Sequence, residues 1–203
     1  LSCLESDMVP LLLSPKIKID KLKDLVEVYK PRYIFQKLED LYANYSLALR
    51  DKTYSLLVNN NNLQVQLNSK LALLLTTSGS TGSPKLVRLT KKNLISNARS
   101  ISNYLKISPD NRVITSLPFN YSYGLSVINS HLISGSSIVL SNASMIEGEF
   151  WKKINEHSVT GLSGVPYNYE MIIKLGINRL KIPSISTMTQ AGGRLDFEKM
   201  KTI

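Results

Sequence analysis

Eight consecutive residues, Ser78-Gly79-Ser80-Thr81-Gly82-Ser83-Pro84-Lys85, gather the groups that hold a polyanion. Glycines let backbone N–H groups turn inward on an anion, hydroxyls add hydrogen bonds, and a lysine adds a mobile positive charge. The spacing separates this stretch from two common nucleotide loops. A Walker loop sets glycine directly before its lysine and Ser or Thr directly after it, at the start of a helix. Here Pro84 precedes Lys85 and Leu86 follows. The dinucleotide fingerprint needs a third glycine that opens a helix, and this stretch lacks one. Composition alone leaves two readings open, a plain Ser/Gly turn and a phosphate loop.

Other reactive side chains are sparse. The sequence offers no Ser-His-Asp or Cys-His set and no His/Cys/Asp/Glu cluster with metal-ligand spacing. His131 follows Ile128 and precedes Leu132, which fits a core or helix-surface histidine. His157 sits among turn residues, and Trp151 beside Phe150 fits a packing anchor. Chemistry on such a chain rests on positioning and charge rather than on a general base.

The elements that must position the loop can be read from periodicity. Leu71 to Leu75 is a continuous apolar run that predicts a buried strand before the loop, and "KLVRLT" predicts a second strand after it. Thr90 is the expected N-cap of a helix reaching Leu105, with a stripe of Leu94, Ile95, Ala98, Ile101 and Leu105. "SPDN" marks a turn, and "RVITSLP" a strand stopping near Pro118. A helix is expected over Ser122 to Ile133, with Leu125, Ile128 and Leu132 on one side and Gly135 at its end. Then come a strand to Leu140, a helix near Glu149 to Ile154, a strand running into Pro166, a helix over Tyr167 to Leu175, and "ISTMT" as a strand before "AGG". Strand and helix alternate, which predicts an α/β layered, largely parallel sheet flanked by helices. Upstream, Lys21 to Lys30 reads as a helix stopped by Pro31, and "YIF" as a short strand. Leu38 to Tyr45 reads as a short helix or a loop, and Asn59 to Asn62 as an exposed turn between two weak strands.

Bulk properties narrow the class. The 203 residues suit one large domain or two small ones, with 43% hydrophobic and 20% charged residues as in an ordinary soluble protein. A net charge of +10 admits nucleic acid, an anionic surface or a polyanionic small molecule as partner. The densest basic stretch, Lys16 to Lys37, reads as a solvated helix face without a nucleic-acid motif. The single cysteine, Cys3, excludes an intrachain disulfide. No apolar run approaches the roughly 20 residues of a membrane span, and "MVPLLLSP" is too short and proline-broken for a signal core. A cytoplasmic chain is the expectation.

The ordered string TTSGSTGSPK is more specific than composition. It resembles the signature of the adenylate-forming superfamily, which includes acyl-CoA synthetases, acyl-AMP ligases and peptide-synthetase adenylation domains. The match runs without a gap from Thr77 to Lys85. In the same order, "LPFNYSYG" is similar to the family's aromatic-rich turn beside the acyl pocket. "GLSGVP" is similar to its Val-Pro segment, and "QAGGRL" to the Gly-Gly segment that packs near adenine. "LVEVYKPRYIF" is similar to the helix and strand upstream of the loop, so the resemblance spans about Leu11 to Leu195.

The resemblance implies a carboxylic acid joined to the α-phosphate of ATP with loss of pyrophosphate, and CoA or a carrier protein as later acceptor. It implies that Thr77, Ser78, Gly79, Ser80, Thr81, Gly82, Ser83 and Lys85 hold phosphates, with Thr81 and Lys85 in catalysis. It places Gly192, Gly193 and Arg194 near the nucleotide, and Asn120, Tyr121, Tyr123, Gly124, Val165 and Pro166 beside the acyl substrate. Composition alone allows aromatic packing for the tyrosines and a strand-end turn for the glycines. Many members carry His where this chain has Asn120. The Tyr-Gly-x-Thr-Glu block whose Glu helps hold Mg²⁺, the ribose-binding Asp and the C-terminal catalytic Lys find no match here. Residues 1–203 are therefore expected to be part of a large N-terminal domain, inactive by itself. Two other readings stand beside this one: a non-catalytic phosphate-binding remnant, and a polyanion- or nucleic-acid-binding domain.

Overall fold

The computed structural model describes residues 2–37, 42–61, 65–76, 86–176 and 179–202. In chain order its elements are α1 (Ser2–Glu5), β1 (Leu11–Leu12), α2 (Ile19–Tyr29), β2 (Tyr33–Lys37), β3 (Tyr45–Arg50), β4 (Tyr54–Asn59), β5 (Leu71–Thr76), β6 (Leu86–Thr90), α3 (Lys91–Leu105) and β7 (Arg112–Ile114). They continue with α4 (Ser122–Ile133), β8 (Ser137–Val139), α5 (Gly148–Glu156), β9 (Gly161–Gly164), α6 (Pro166–Leu175), β10 (Thr187–Gln190) and α7 (Phe197–Lys201). They form two compact units. The smaller holds the described residues of Ser14–Ser69, the larger those of Leu1–Leu13, Lys70–Ser80 and Lys85–Ile203.

In the smaller unit α2 ends where Lys30 turns left-handed (φ 42°) and donates its N–H to Val26 O; Pro31 cannot continue the helix. The sheet that follows is antiparallel, in the order β2-β4-β3. Alternation buries Ile34 and Leu57 with Tyr45, and Val26 and Tyr42 pack on this cluster. The Tyr45 hydroxyl donates to Pro31 O at 2.6 Å and accepts from Asn59 Nδ2 at 3.1 Å. Leu38–Leu41 and Asn62–Gln64 lie outside the described residues, and Tyr45 opens β3. A weak strand expected after the asparagines is not formed by the described residues there: Val65 and Leu67 are exposed and unpaired in any sheet.

The larger unit contains two sheets. In the first, β5 pairs with β1 in parallel and with β6 in antiparallel, so Thr76 and Leu86 face each other across the ends of the glycine-rich stretch. Thr90 then caps α3 as the sequence predicts: Asn93 N–H donates to Thr90 Oγ1 at 3.1 Å and Thr90 N–H to Asn93 Oδ1 at 3.0 Å. Ala98 is the buried member of the α3 stripe, while Ile95 stays exposed. α3 packs against α4.

The second sheet is wholly parallel, in the order β10-β9-β7-β8. From β7 the chain moves to its neighbour β8, then returns past β7 to β9 and on to β10. The direction of winding therefore reverses between β7 and β9. Ile114 and Leu162 join α5 and α6 in the main core through Phe150, Trp151, Ile154, Tyr169 and Ile172. Full burial of such a side chain contributes roughly 1.5–3 kcal/mol. Trp151 anchors the helix entry, donating Nε1–H to Met145 O at 2.7 Å. β7 stops at Ile114, short of the predicted Pro118. At Thr115 the side chain takes over the ladder, accepting from Ser141 N–H at 2.8 Å and donating to Ser141 O.

Candidate functional site

Three segments leave the carboxyl ends of parallel strands and meet where the winding reverses. In open α/β sheets that crevice is where ligands bind. The first runs from β7 through Leu117 and Pro118 into α4. Gly124 lies in its first turn with no room for a side chain, because a Cβ would collide with Pro118 O. Tyr121 stands at the helix N-cap, its N–H bonded to Pro118 O at 3.1 Å.

The second runs from β9 through Val165 into α6. Pro166 opens that helix, where its missing N–H costs nothing. Asn168 closes the first turn by accepting Val165 N–H on Oδ1 at 2.9 Å. Gly164 is required here, since a Cβ would lie 2.9 Å from Asn168 Cβ.

The third leaves β10 at Gln190 and turns at Gly192. Gly192 has φ +80°, a region that L side chains rarely adopt, and a Cβ there would strike Tyr121 Oη and approach Val165 Cγ1 to 3.2 Å. A Cβ on Gly193 would come to 3.1 Å from Pro166 Cγ. Gln190 closes the turn by donating Nε2–H to Gly193 O at 2.7 Å.

Tyr121, Val165, Pro166, Gly192 and Gly193, chosen from the sequence, are thus brought together into one wall. Tyr123 lies beside it, its ring edge-to-face with Tyr121 at 6.4 Å between centroids. Asn120 is half-buried one residue before Tyr121, and Arg194 is exposed just beyond the turn. Thr77, Ser78, Gly79, Ser80, Thr81, Gly82, Ser83 and Lys85 lie outside the described residues. The strands that bound them are formed as expected, and they pair antiparallel.

A small cavity opens behind α4, lined by Ile114, Leu117, Val127 and Ile128 with Thr115, Ser116 and Ser163. Burial pushes the Tyr123 hydroxyl up, against hydrogen bonds from its neighbours, and raises that of Tyr169 further. Both stay protonated at neutral pH. His131 is buried, its Nδ1 bonded to Val127 O at 2.7 Å, and burial lowers its pKa. It is a neutral core group away from the wall. Among the described residues no group of three or more His, Cys, Asp or Glu could hold a metal ion, and no helix is long and apolar enough to cross a membrane.

Sequence reasoning passed over Ser116, Ser163 and Thr189. Ser163 Oγ and Tyr123 Oη each share a 2.8 Å hydrogen bond with Thr189 Oγ1. Ser116 Oγ donates to Ser163 O.

A family model for AMP-binding enzymes matches residues 1–201. This chain belongs to the AMP-binding enzyme family. Among curated relatives, sulfoacetate–CoA ligase of Cupriavidus necator is 38% identical over 96 residues, 47% of this chain and 19% of that enzyme. Bacillus subtilis o-succinylbenzoate CoA synthetase in complex with AMP is 29% identical with a TM-score of 0.56, covering 64% of this chain and 27% of that one. The same enzyme with its acyl-adenylate intermediate superposes over 98% of this chain and 42% of its own at a TM-score of 0.74 and 22% identity, which shows the shared fold. The chain spans less than half the length of these relatives.

Proposed function

We propose that this chain supplies the ATP- and acid-binding part of an AMP-forming acid ligase. The observation that supports it most is the wall itself: residues from three separate motifs of the family meet at the winding reversal of the parallel sheet. A carboxylic acid is ionised at neutral pH. It attacks the α-phosphate of ATP without a general base, forming an acyl adenylate and releasing pyrophosphate. Catalysis then consists of alignment and charge stabilisation.

In this reading Thr77 to Ser83 hold the β- and γ-phosphates, and Thr81 and Lys85 stabilise the charge that builds on leaving pyrophosphate. The turn Gly192-Gly193-Arg194 borders the nucleotide. Asn120, Tyr121, Tyr123, Gly124, Val165 and Pro166 border the acid. The acyl group then passes to CoA or a carrier protein; a relative named as a CoA ligase favours CoA. The resemblance also implies Mg²⁺, and no described residue is assigned to it.

The deciding experiment is carboxylate-dependent ATP–pyrophosphate exchange by the full-length protein across a panel of aliphatic, aromatic and small dianionic acids. Exchange with one class of acid is the expected result, with a fall of about 10²–10³-fold in Lys85→Ala. Silence with every acid, together with intact AMP binding, would favour a non-catalytic nucleotide-binding module.

A further inference from the structure

Thr189 is bonded from both sides. Its hydroxyl shares 2.8 Å hydrogen bonds with Tyr123 Oη on α4 and with Ser163 Oγ on β9. Its carbonyl accepts from Tyr169 Oη on α6 at 2.6 Å. Ser116 extends the set by donating to Ser163 O, which joins the end of β7. One residue of β10 therefore ties the exits of all three strands that build the wall. It does so three residues before Gly192, against which the Tyr121 hydroxyl lies.

The packing makes this tie consequential. The first turn of α4 is pressed on the Leu117–Pro118 backbone at Gly124, so it cannot move toward the strand. The Tyr123–Thr189 bond adds a second tether to the same turn. Tyr121, two residues earlier, inherits a fixed place. Buried hydroxyls also specify one arrangement sharply, because each that loses its partner keeps its desolvation cost.

We infer that Thr189 is a positioning residue: through Tyr123 it seats the N-terminus of α4 so that Tyr121 closes on Gly192. This rests on the ligase reading only for its kinetic consequence, which falls on the acid and not on ATP.

The test compares Thr189→Val, Thr189→Ser, Tyr123→Phe and the Val/Phe double variant in the full-length protein, by steady-state pyrophosphate release. In Thr189→Val, kcat/KM for the acid falls roughly tenfold through a raised acid KM. The KM for ATP stays within about twofold, and Thr189→Ser restores the acid KM. The double variant is no worse than Thr189→Val, which already removes the bond to Tyr123 together with that to Ser163. A purely structural role would lower active enzyme for both substrates and leave both KM values unchanged. An unchanged acid KM in Thr189→Val, failure of Ser to restore it, or additive single effects would each overturn the inference. Should Thr189→Val not fold, Tyr123→Phe carries the same expectation. A crystal structure of Thr189→Val or Tyr123→Phe gives a reading independent of catalysis: Tyr121 leaves Gly192, and a Tyr121 still seated there refutes the inference. Absence of any exchange by the unsubstituted protein counts against the ligase reading alone.

Discussion

The parallel sheet of the larger unit and the antiparallel sheet of the smaller one are both built from short strands, three or four residues against five or six, and they use their side chains differently. In β10-β9-β7-β8 each strand has three or four residues and leads through a crossover into a helix. Three strand exits therefore gather at one edge, and Tyr121, Val165 and Gly192 come from segments far apart in sequence. In β2-β4-β3 the chain turns back at once around Asp51, whose Oδ1 accepts the N–H groups of Thr53 and Tyr54. One of its faces is left apolar and open. Phe35, 70% exposed, stacks on Tyr54 at 5.0 Å, and Leu49 is 67% exposed. Parallel winding concentrates functional groups; an antiparallel meander concentrates surface.

The comparison breaks first, and most heavily, at Phe150. This ring is fully buried in the core between α5, α6 and the parallel sheet. Phe150→Ala is expected to cost about 3–5 kcal/mol through lost burial and the cavity left behind, measured by denaturant unfolding of the full-length protein. A cost below about 1 kcal/mol would mean that the parallel sheet is not the stable centre of the fold.

Next is Gly192, where fold and site coincide. Gly192→Ala places a Cβ on Tyr121 Oη at φ +80°. Strain of this kind costs on the order of 1–3 kcal/mol, so pyrophosphate exchange should fall roughly 10- to 100-fold, more than the melting temperature suggests. Gly148→Ala is the control, because a Cβ there meets nothing within 4 Å. Equal losses in the two variants would remove the special role of the wall.

These positions also show how much the sequence displays. The start of α3 was readable because Thr90 and Asn93 form a cap within one turn. α4 matched its predicted span because Gly135, with φ 69°, marks its end in plain sight. Gly192 stood out in the sequence through its motif, and its backbone at φ +80° is one that favours glycine. β7 was overextended because the next chain breaker in the sequence is Pro118, whereas its end is set by Thr115 bonding Ser141, 26 residues away. Thr189 was invisible for the same reason: its partner Tyr123 is 66 residues distant, and no local pattern announces a hydroxyl bond of that range. The antiparallel pairing of β5 with β6 is likewise a matter of chain reversal, which the intervening Ser/Gly stretch allows but does not specify by composition.

A smaller effect separates buried chemistry from burial alone. His131 is held neutral by desolvation, so its folded pKa lies below the usual histidine value. The unfolded chain protonates near pH 6.5 and so binds more protons than the folded one as pH falls. This contribution is fully present above that value and is lost on acidification. His131→Asn, which keeps a donor for Val127 O, should therefore lose less melting temperature than the unsubstituted protein between pH 7.5 and 5.5. Parallel losses would show that His131 titrates alike in both states.

The smallest effect expected lies on the open face of the antiparallel sheet. Phe35 and Leu49 flank Leu56, their cross-strand partner in β4, and their outer surfaces meet solvent. Removing an exposed ring away from a cap or buried network changes stability by about 0.5 kcal/mol or less. Some loss is expected, because the stack of Phe35 on Tyr54 and its contact with Leu56 are given up. Phe35→Ser in the full-length protein should thus unfold within about 0.5 kcal/mol of the unsubstituted form and with the same m-value. A cost near 2 kcal/mol is the value for a buried ring edge rather than an exposed one. It would mean that this face is covered in solution, and the contrast between an occupied parallel edge and an open antiparallel face would fail at its weaker side.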